Sequence, residues 1–177
     1  MKKVILGDST FYLYCNAAAC FDIYEAFGYE KGIVDLMTEK GAVGYGNTLR
    51  IAAVLAEQGE LYRRWAGHSP ADIPDSEALA RIVTPLSYIT LRRAAIGAVK
   101  EGFSPTVEDK AKPRFRDKGL DELEKAEKKN GVSKAEYLFT MTQLWGLSMK
   151  EALLMTFAQA LDFLRLRRNS ELGGGGE

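Results

Sequence analysis

In the last third of this 177-residue chain a Ser or Thr stands three residues ahead of a Glu or Gln at Ser133 with Glu136, at Ser148 with Glu151, and at Thr156 with Gln159. Each pair is a capping box. The hydroxyl accepts the N3 backbone N–H while the acid or amide reaches back to the cap's own N–H, so each pair marks a helix start. One cap contributes about 1 kcal/mol. The spacing therefore predicts three short consecutive helices, about Lys134–Trp145, Met149–Met155 and Phe157–Arg168, with Gly146 ending the first. Tyr137, Leu138, Met141, Leu144 and Trp145 are expected to face Leu153, Leu154, Phe157, Leu161 and Leu164. Three such helices enclose one small core and leave apolar surface over.

The first hundred residues read as a second helical body with a β opening. Val4–Leu6 and Thr10–Tyr14 are short β-like runs around Gly7, Asp8 and Ser9, with Phe11 and Leu13 on one face and Tyr12 and Tyr14 on the other, which predicts a hairpin. Asn16 is placed to cap a helix carrying Cys20, Ile23, Tyr24 and Phe27 at helical spacing, with Gly28 as its stop. A short helix follows near Gly32–Lys40, then a flexible connection at 41–46. A longer helix begins at Asn47, with Leu49, Ala52, Ala53, Leu55 and Ala56 as its apolar stripe, Gly59 as a possible kink, and Tyr62 and Trp65 further along. Asp75 caps a helix with Leu79, Ile82 and Val83 inside. Thr84 and Pro85 then open another, running to about Lys100 and closed by Gly102. Beyond Phe103 the composition turns charged and proline-bearing, with Pro105 and Pro113, and predicts a mobile linker over 104–132 that holds one marginal helix near Leu120–Lys129.

The fold class expected is thus mainly α: a multi-helix domain with a short N-terminal β-hairpin over 1–103, the charged linker over 104–132, a three-helix region over 133–170, and a flexible Gly-rich tail over 171–177. A composition of 46% apolar and 27% charged residues is that of a folded domain. The 24 basic residues are matched by 24 acidic ones, which argues against a general nucleic-acid binder and makes self-association easy. The basic start at Lys2 and Lys3 is followed by too short an apolar run for a signal sequence, and no stretch approaches the ~20 apolar residues of a membrane span.

The residues that carry chemistry in other proteins do not fall into catalytic arrangements here. His68 is the single histidine and sits in a proline-bounded stretch; no Gly-x-Ser-x-Gly surrounds any serine; and the glycines at 41, 44 and 46 fit neither phosphate-loop nor dinucleotide spacing. Cys15 and Cys20 have neither zinc nor redox spacing and are expected to be reduced, half-buried packing residues. Arg165, Arg167 and Arg168 read as cations complementing a helix C-terminus. No catalytic residue, metal or cofactor is expected.

The order of features is similar to that of a known family. Leu6-Gly-Asp-Ser-Thr-Phe-Tyr-Leu13, Phe21-Asp-Ile-Tyr-Glu-Ala-Phe-Gly28, the Ala52–Gly59 helix, and Thr84-Pro85 opening a helix that ends in Gly102 resemble the tail assembly chaperones of long-tailed bacteriophages. Leu144-Trp-Gly-Leu-Ser148, Glu151 and Met155-Thr156 resemble the short second region of many such chaperones. The resemblance implies a self-associating protein of the host cell cytoplasm, absent from the mature virion. It would coat the tape measure protein and recruit tail tube subunits, with no nucleic-acid or membrane partner. It also makes the codons of Gly173–Gly176 a plausible frameshift site, the alternative being a plain flexible tail. The partner or oligomer contacts expected are Phe21, Tyr24, Phe27, Leu55, Tyr62 and Trp65 in the first region, and Tyr137, Leu144, Trp145, Leu153, Phe157 and Leu161 in the second. Each is equally a candidate for the core. The rival readings are a helix-turn-helix-like regulatory DNA-binding protein built on 133–168, and a structural virion component.

Overall fold

The structure, a computed structural model, describes residues 1–107 and 133–173, with Leu144 and 171–173 described by backbone alone. The chain divides into two compact units after Gly102. The fold is mainly α with an N-terminal hairpin, as expected.

In the first unit β1 (Lys2–Leu6) pairs antiparallel with β2 (Ser9–Leu13), Val4 opposite Phe11 and Leu6 opposite Ser9, so Gly7 and Asp8 make a two-residue turn. The alternation of a half-buried ribbon is plain: Val4, Leu6, Phe11 and Leu13 are buried while Ile5 and Thr10 face solvent. Asn16 then starts α1 (Ala17–Phe27) from a fully buried position, its Oδ1 accepting the Ala19 N–H at 2.8 Å and its Nδ2 donating to Gln58 Oε1 at 3.1 Å. Both ends of a buried amide are thereby satisfied. Gly28 ends the helix by donating its N–H to the Tyr24 carbonyl.

After α2 (Ile33–Thr38) comes α3 (Gly41–Trp65), which corrects two expectations. Residues 41–46 are not a flexible connection but the first turns of α3. The chain doubles back so closely there that a Cβ on Gly44 would overlap the Glu39 carbonyl. Gly59 interrupts nothing. It is the point at which β2 presses on α3, where any Cβ would overlap the Tyr12 carbonyl oxygen. Leu49, Ile51, Ala52, Leu55 and Ala56 form the buried stripe of α3 and share the core with Phe21, Ile23, Met37 and Leu91. Each fully buried large side chain among them contributes about 1.5–3 kcal/mol.

Asp75 caps α4 (Ser76–Ile82), accepting the Ala78 N–H at 2.7 Å. Of the three residues expected inside this helix only Leu79 is buried; Ile82 is exposed and Val83 half-buried. Thr84 and Pro85 open α5 (Pro85–Phe103) as expected, the Ser87 N–H donating to Thr84 Oγ1, and the helix runs on to Phe103 with Gly102 inside its last turn.

In the second unit the three capping boxes are formed. Ser133 and Glu136 exchange hydrogen bonds at 3.1 and 3.2 Å and start α6 (Lys134–Trp145). Ser148 and Glu151 do the same at 2.9 and 3.2 Å for α7 (Met149–Leu154), and Thr156 and Gln159 at 2.9 and 3.0 Å for α8 (Phe157–Gly173). Gly146 stops α6 in the left-handed region at φ 62°, where a side chain would be strained. Tyr137 is the hub of the packing: it is buried, its hydroxyl donates to the Ala152 carbonyl at 2.8 Å, and its ring meets Phe157 edge-on at 5.2 Å.

Because α8 continues to Gly173, Arg165, Arg167 and Arg168 do not lie in its last turn, and the expected dipole role gives way to side-chain packing. Arg165 donates to the Val107 carbonyl at 2.9 Å, Arg167 lies over the Trp145 ring at 5.5 Å, and Arg168 is buried. Residues 104–107, placed in the linker by composition, are tied down. The Thr106 N–H and hydroxyl and the Val107 N–H all donate to the Asp162 carboxylate at 2.8–3.0 Å. The rest of the expected linker, with its Leu120–Lys129 helix, and residues 174–177 of the expected tail lie outside the described residues.

Candidate functional site

Cys15 and Cys20 are buried free thiols with sulfurs 3.4 Å apart, fully enclosed where half-burial was expected. Flanking the Asn16 cap, they occupy the positions of a hydrophobic staple and fix the direction in which the chain enters α1. Burial pushes the Cys20 thiol well up, and its contact with Cys15 adds to this, so Cys20 is held as an unreactive thiol. His68 is exposed beyond the end of α3. Among the described residues, no three His, Cys, Asp or Glu side chains converge as metal ligands would.

The one strongly buried ionic group in the first unit is Glu60. Its side chain accepts from Arg63 at 2.8 Å, from Arg64 at 2.9 Å and from the Ala71 N–H at 2.8 Å. Burial pushes its carboxyl up, but the Ala71 amide and the two guanidiniums outweigh that and hold it below the usual carboxylate range. What this arrangement does is pin the proline-rich stretch after α3 back onto the helix. The same logic governs Asp162, where burial is overcome by the Thr106 and Val107 donors and by Arg165.

The candidate contact residues of the first region separate into core and surface. Phe21 and Leu55 are buried in the core. Tyr24 and Phe27 are half-buried on α1, with Tyr24 stacked on Tyr29 at 5.0 Å. Tyr62 leans on Tyr14 at 4.7 Å and on Trp65 at 5.7 Å, so an aromatic file leads from the buried end of β2 to an exposed indole. Burial pushes the Tyr14 phenol up to about 12, with Tyr62 and Cys15 adding to the effect. Trp65 is 54% exposed.

In the second region Tyr137 is core, whereas Trp145, Leu153, Phe157 and Leu161 are half-buried; the side chain of Leu144 lies outside the described residues. Phe157 stacks on Phe103 at 5.4 Å, and Trp145 meets Phe163 edge-on at 6.0 Å.

Sequence reasoning missed five of the large apolar side chains that the structure leaves exposed on its helices. These are Leu86 (78%) and Ile89 on α5, Phe139 (68%) on α6, and Phe163 and Leu166 on α8, the last two each a little over half exposed. The signal was present: each falls off the apolar stripe of its helix, as Phe163 and Leu166 fall off the 157, 161, 164 stripe.

No family model, curated protein or solved structure matches this chain. Each unit carries outward apolar residues on its helices, Leu86 and Ile89 in the first and Phe139, Phe163 and Leu166 in the second.

Proposed function

We propose that this protein is a tail assembly chaperone of a long-tailed bacteriophage, acting by binding other proteins. In this reading it coats the tape measure protein in the host cytoplasm, self-associates along it, recruits tail tube subunits, and is left out of the finished particle. The observation that carries the reading is the placement of Leu86, Ile89, Phe139, Phe163 and Leu166 on helices with half or more of each side chain facing solvent. A long helical tape measure presents apolar stripes before its tube encloses it, and amphipathic helices are suited to cover such stripes. The sequence resemblance adds the order of elements in both regions.

Co-expression with the tape measure protein, followed by affinity capture, tests the proposal. Retention of the tape measure and its loss to aggregation without this chain are expected; a tape measure that is soluble alone and never retained overturns it. Mass spectrometry of purified particles should lack the protein, and finding it there in stoichiometric amounts would favour a virion component instead.

A further inference from the structure

We propose that Cys15 and Cys20 form a redox latch: a small disulfide oxidant of the glutathione class joins them in a disulfide that ties the exit of β2 to the start of α1. The two sulfurs lie 3.4 Å apart with each residue 1% exposed, and a bond of about 2 Å requires only a short further approach. Their contact is held by groups other than the sulfurs. Between them Asn16 is fixed at both ends of its amide, to the Ala19 N–H and to Gln58. The preceding residue, Tyr14, donates its N–H to the Leu55 carbonyl at 3.0 Å, and α5 backs onto Cys15 so closely that a Cβ on Gly102 would lie 2.5 Å from the Cys15 carbonyl oxygen. The fold therefore keeps the two thiols together before any bond forms.

Rate and outcome are set by different things. Burial keeps the closed pair slow, so the first attack waits for a local opening of the β2–α1 corner. One thiolate of the pair then attacks a sulfur of glutathione disulfide, forms a mixed disulfide and expels one glutathione thiolate. The second thiolate attacks the protein sulfur of that mixed disulfide, forms the Cys15–Cys20 bond and expels the second glutathione. Two electrons pass from the protein to the oxidant, and the two thiol protons end on the two glutathiones. The chain has two cysteines in all, so no third thiol of its own competes for the mixed disulfide. Enclosure shields the pair from a second chain, and the product is intramolecular.

The test refolds the full chain from urea into glutathione redox buffers, once from the reduced and once from the oxidised form, and quenches and alkylates it for intact-mass measurement. Parallel samples stay in urea. The ratio of disulfide to dithiol should be at least about tenfold higher in the folded chain than in urea, with a monomer on a non-reducing gel. By linkage the oxidised protein should unfold at higher urea than the reduced one, tenfold corresponding to about 1.4 kcal/mol. An equal or lower ratio in the folded chain leaves the cysteines as packing alone and overturns the proposal. So does a glutathione adduct or a linked dimer as the main product, or a lower urea midpoint after oxidation. Two starting forms that never converge overturn it as well, since a pair that cannot exchange in the folded protein switches nothing. The chaperone reading stands or falls apart from all of these outcomes.

Discussion

At the scale of single residues, the groups that matter most are buried polar ones whose partners lie on another segment. Glu60 holds the Ala71 N–H and two arginines, so Glu60→Ala strands a donor as well as removing an ion pair. It should cost about 1–3 kcal/mol, read as a lower urea midpoint of the first unit. Arg64 alone is half exposed, and Arg64→Ala should cost much less. Asp162 makes a pH prediction. Its folded carboxyl is held below its unfolded value, so the clamp on Thr106 and Val107 contributes in full above the unfolded value of about 3.9 and is lost as pH falls through the lower folded value. Stability of the second unit, followed by Trp145 fluorescence in urea, should therefore fall off below about pH 4, and Asp162→Asn should flatten that acid limb while lowering the plateau.

At the scale of elements, the helix starts are local devices and should behave as such. Ser133→Ala and Ser148→Ala each remove a hydroxyl that accepts an N3 amide, and each should cost about 1 kcal/mol. The caps serve different helices and share no partner, so the double variant should show additive losses in equilibrium unfolding. These starts were legible because a capping box is complete within four residues. The start of α3 was not. Its glycines look like a loop by composition, and only the return of the chain past Glu39 makes Gly44 a necessity within a helix. Gly59 misled in the same way: a helix-weakening residue in sequence is a contact residue in the fold, because the Tyr12 carbonyl occupies the space of its missing side chain.

At the scale of the whole molecule, the division after Gly102 leaves one tryptophan in each unit, Trp65 in the first and Trp145 in the second. Each unit has its own buried side chains, Phe21, Leu55 and Leu91 in one, Tyr137 and Met141 in the other. Separate cores predict separable unfolding. In single-tryptophan variants, Glu60→Ala should shift the transition reported by Trp65 and spare that reported by Trp145, and Tyr137→Phe should do the opposite. A single shared transition displaced equally by both substitutions would show one cooperative body instead.

Spacing alone determined the hairpin, the Asn16, Asp75 and Thr84 caps, the three capping boxes and the mainly helical class, since each rests on partners within a few residues along the chain. Tertiary structure alone decided which of the apolar residues are hidden. Trp65 and Phe21 are alike in sequence terms, yet one is exposed and the other enclosed, because burial depends on which distant surface arrives to cover a side chain. The same holds for residues 104–107, whose composition says linker but whose donors meet Asp162 across more than fifty residues of chain. Pattern records what a segment does with its own neighbours; the long-range contacts decide what is left facing outward for another molecule.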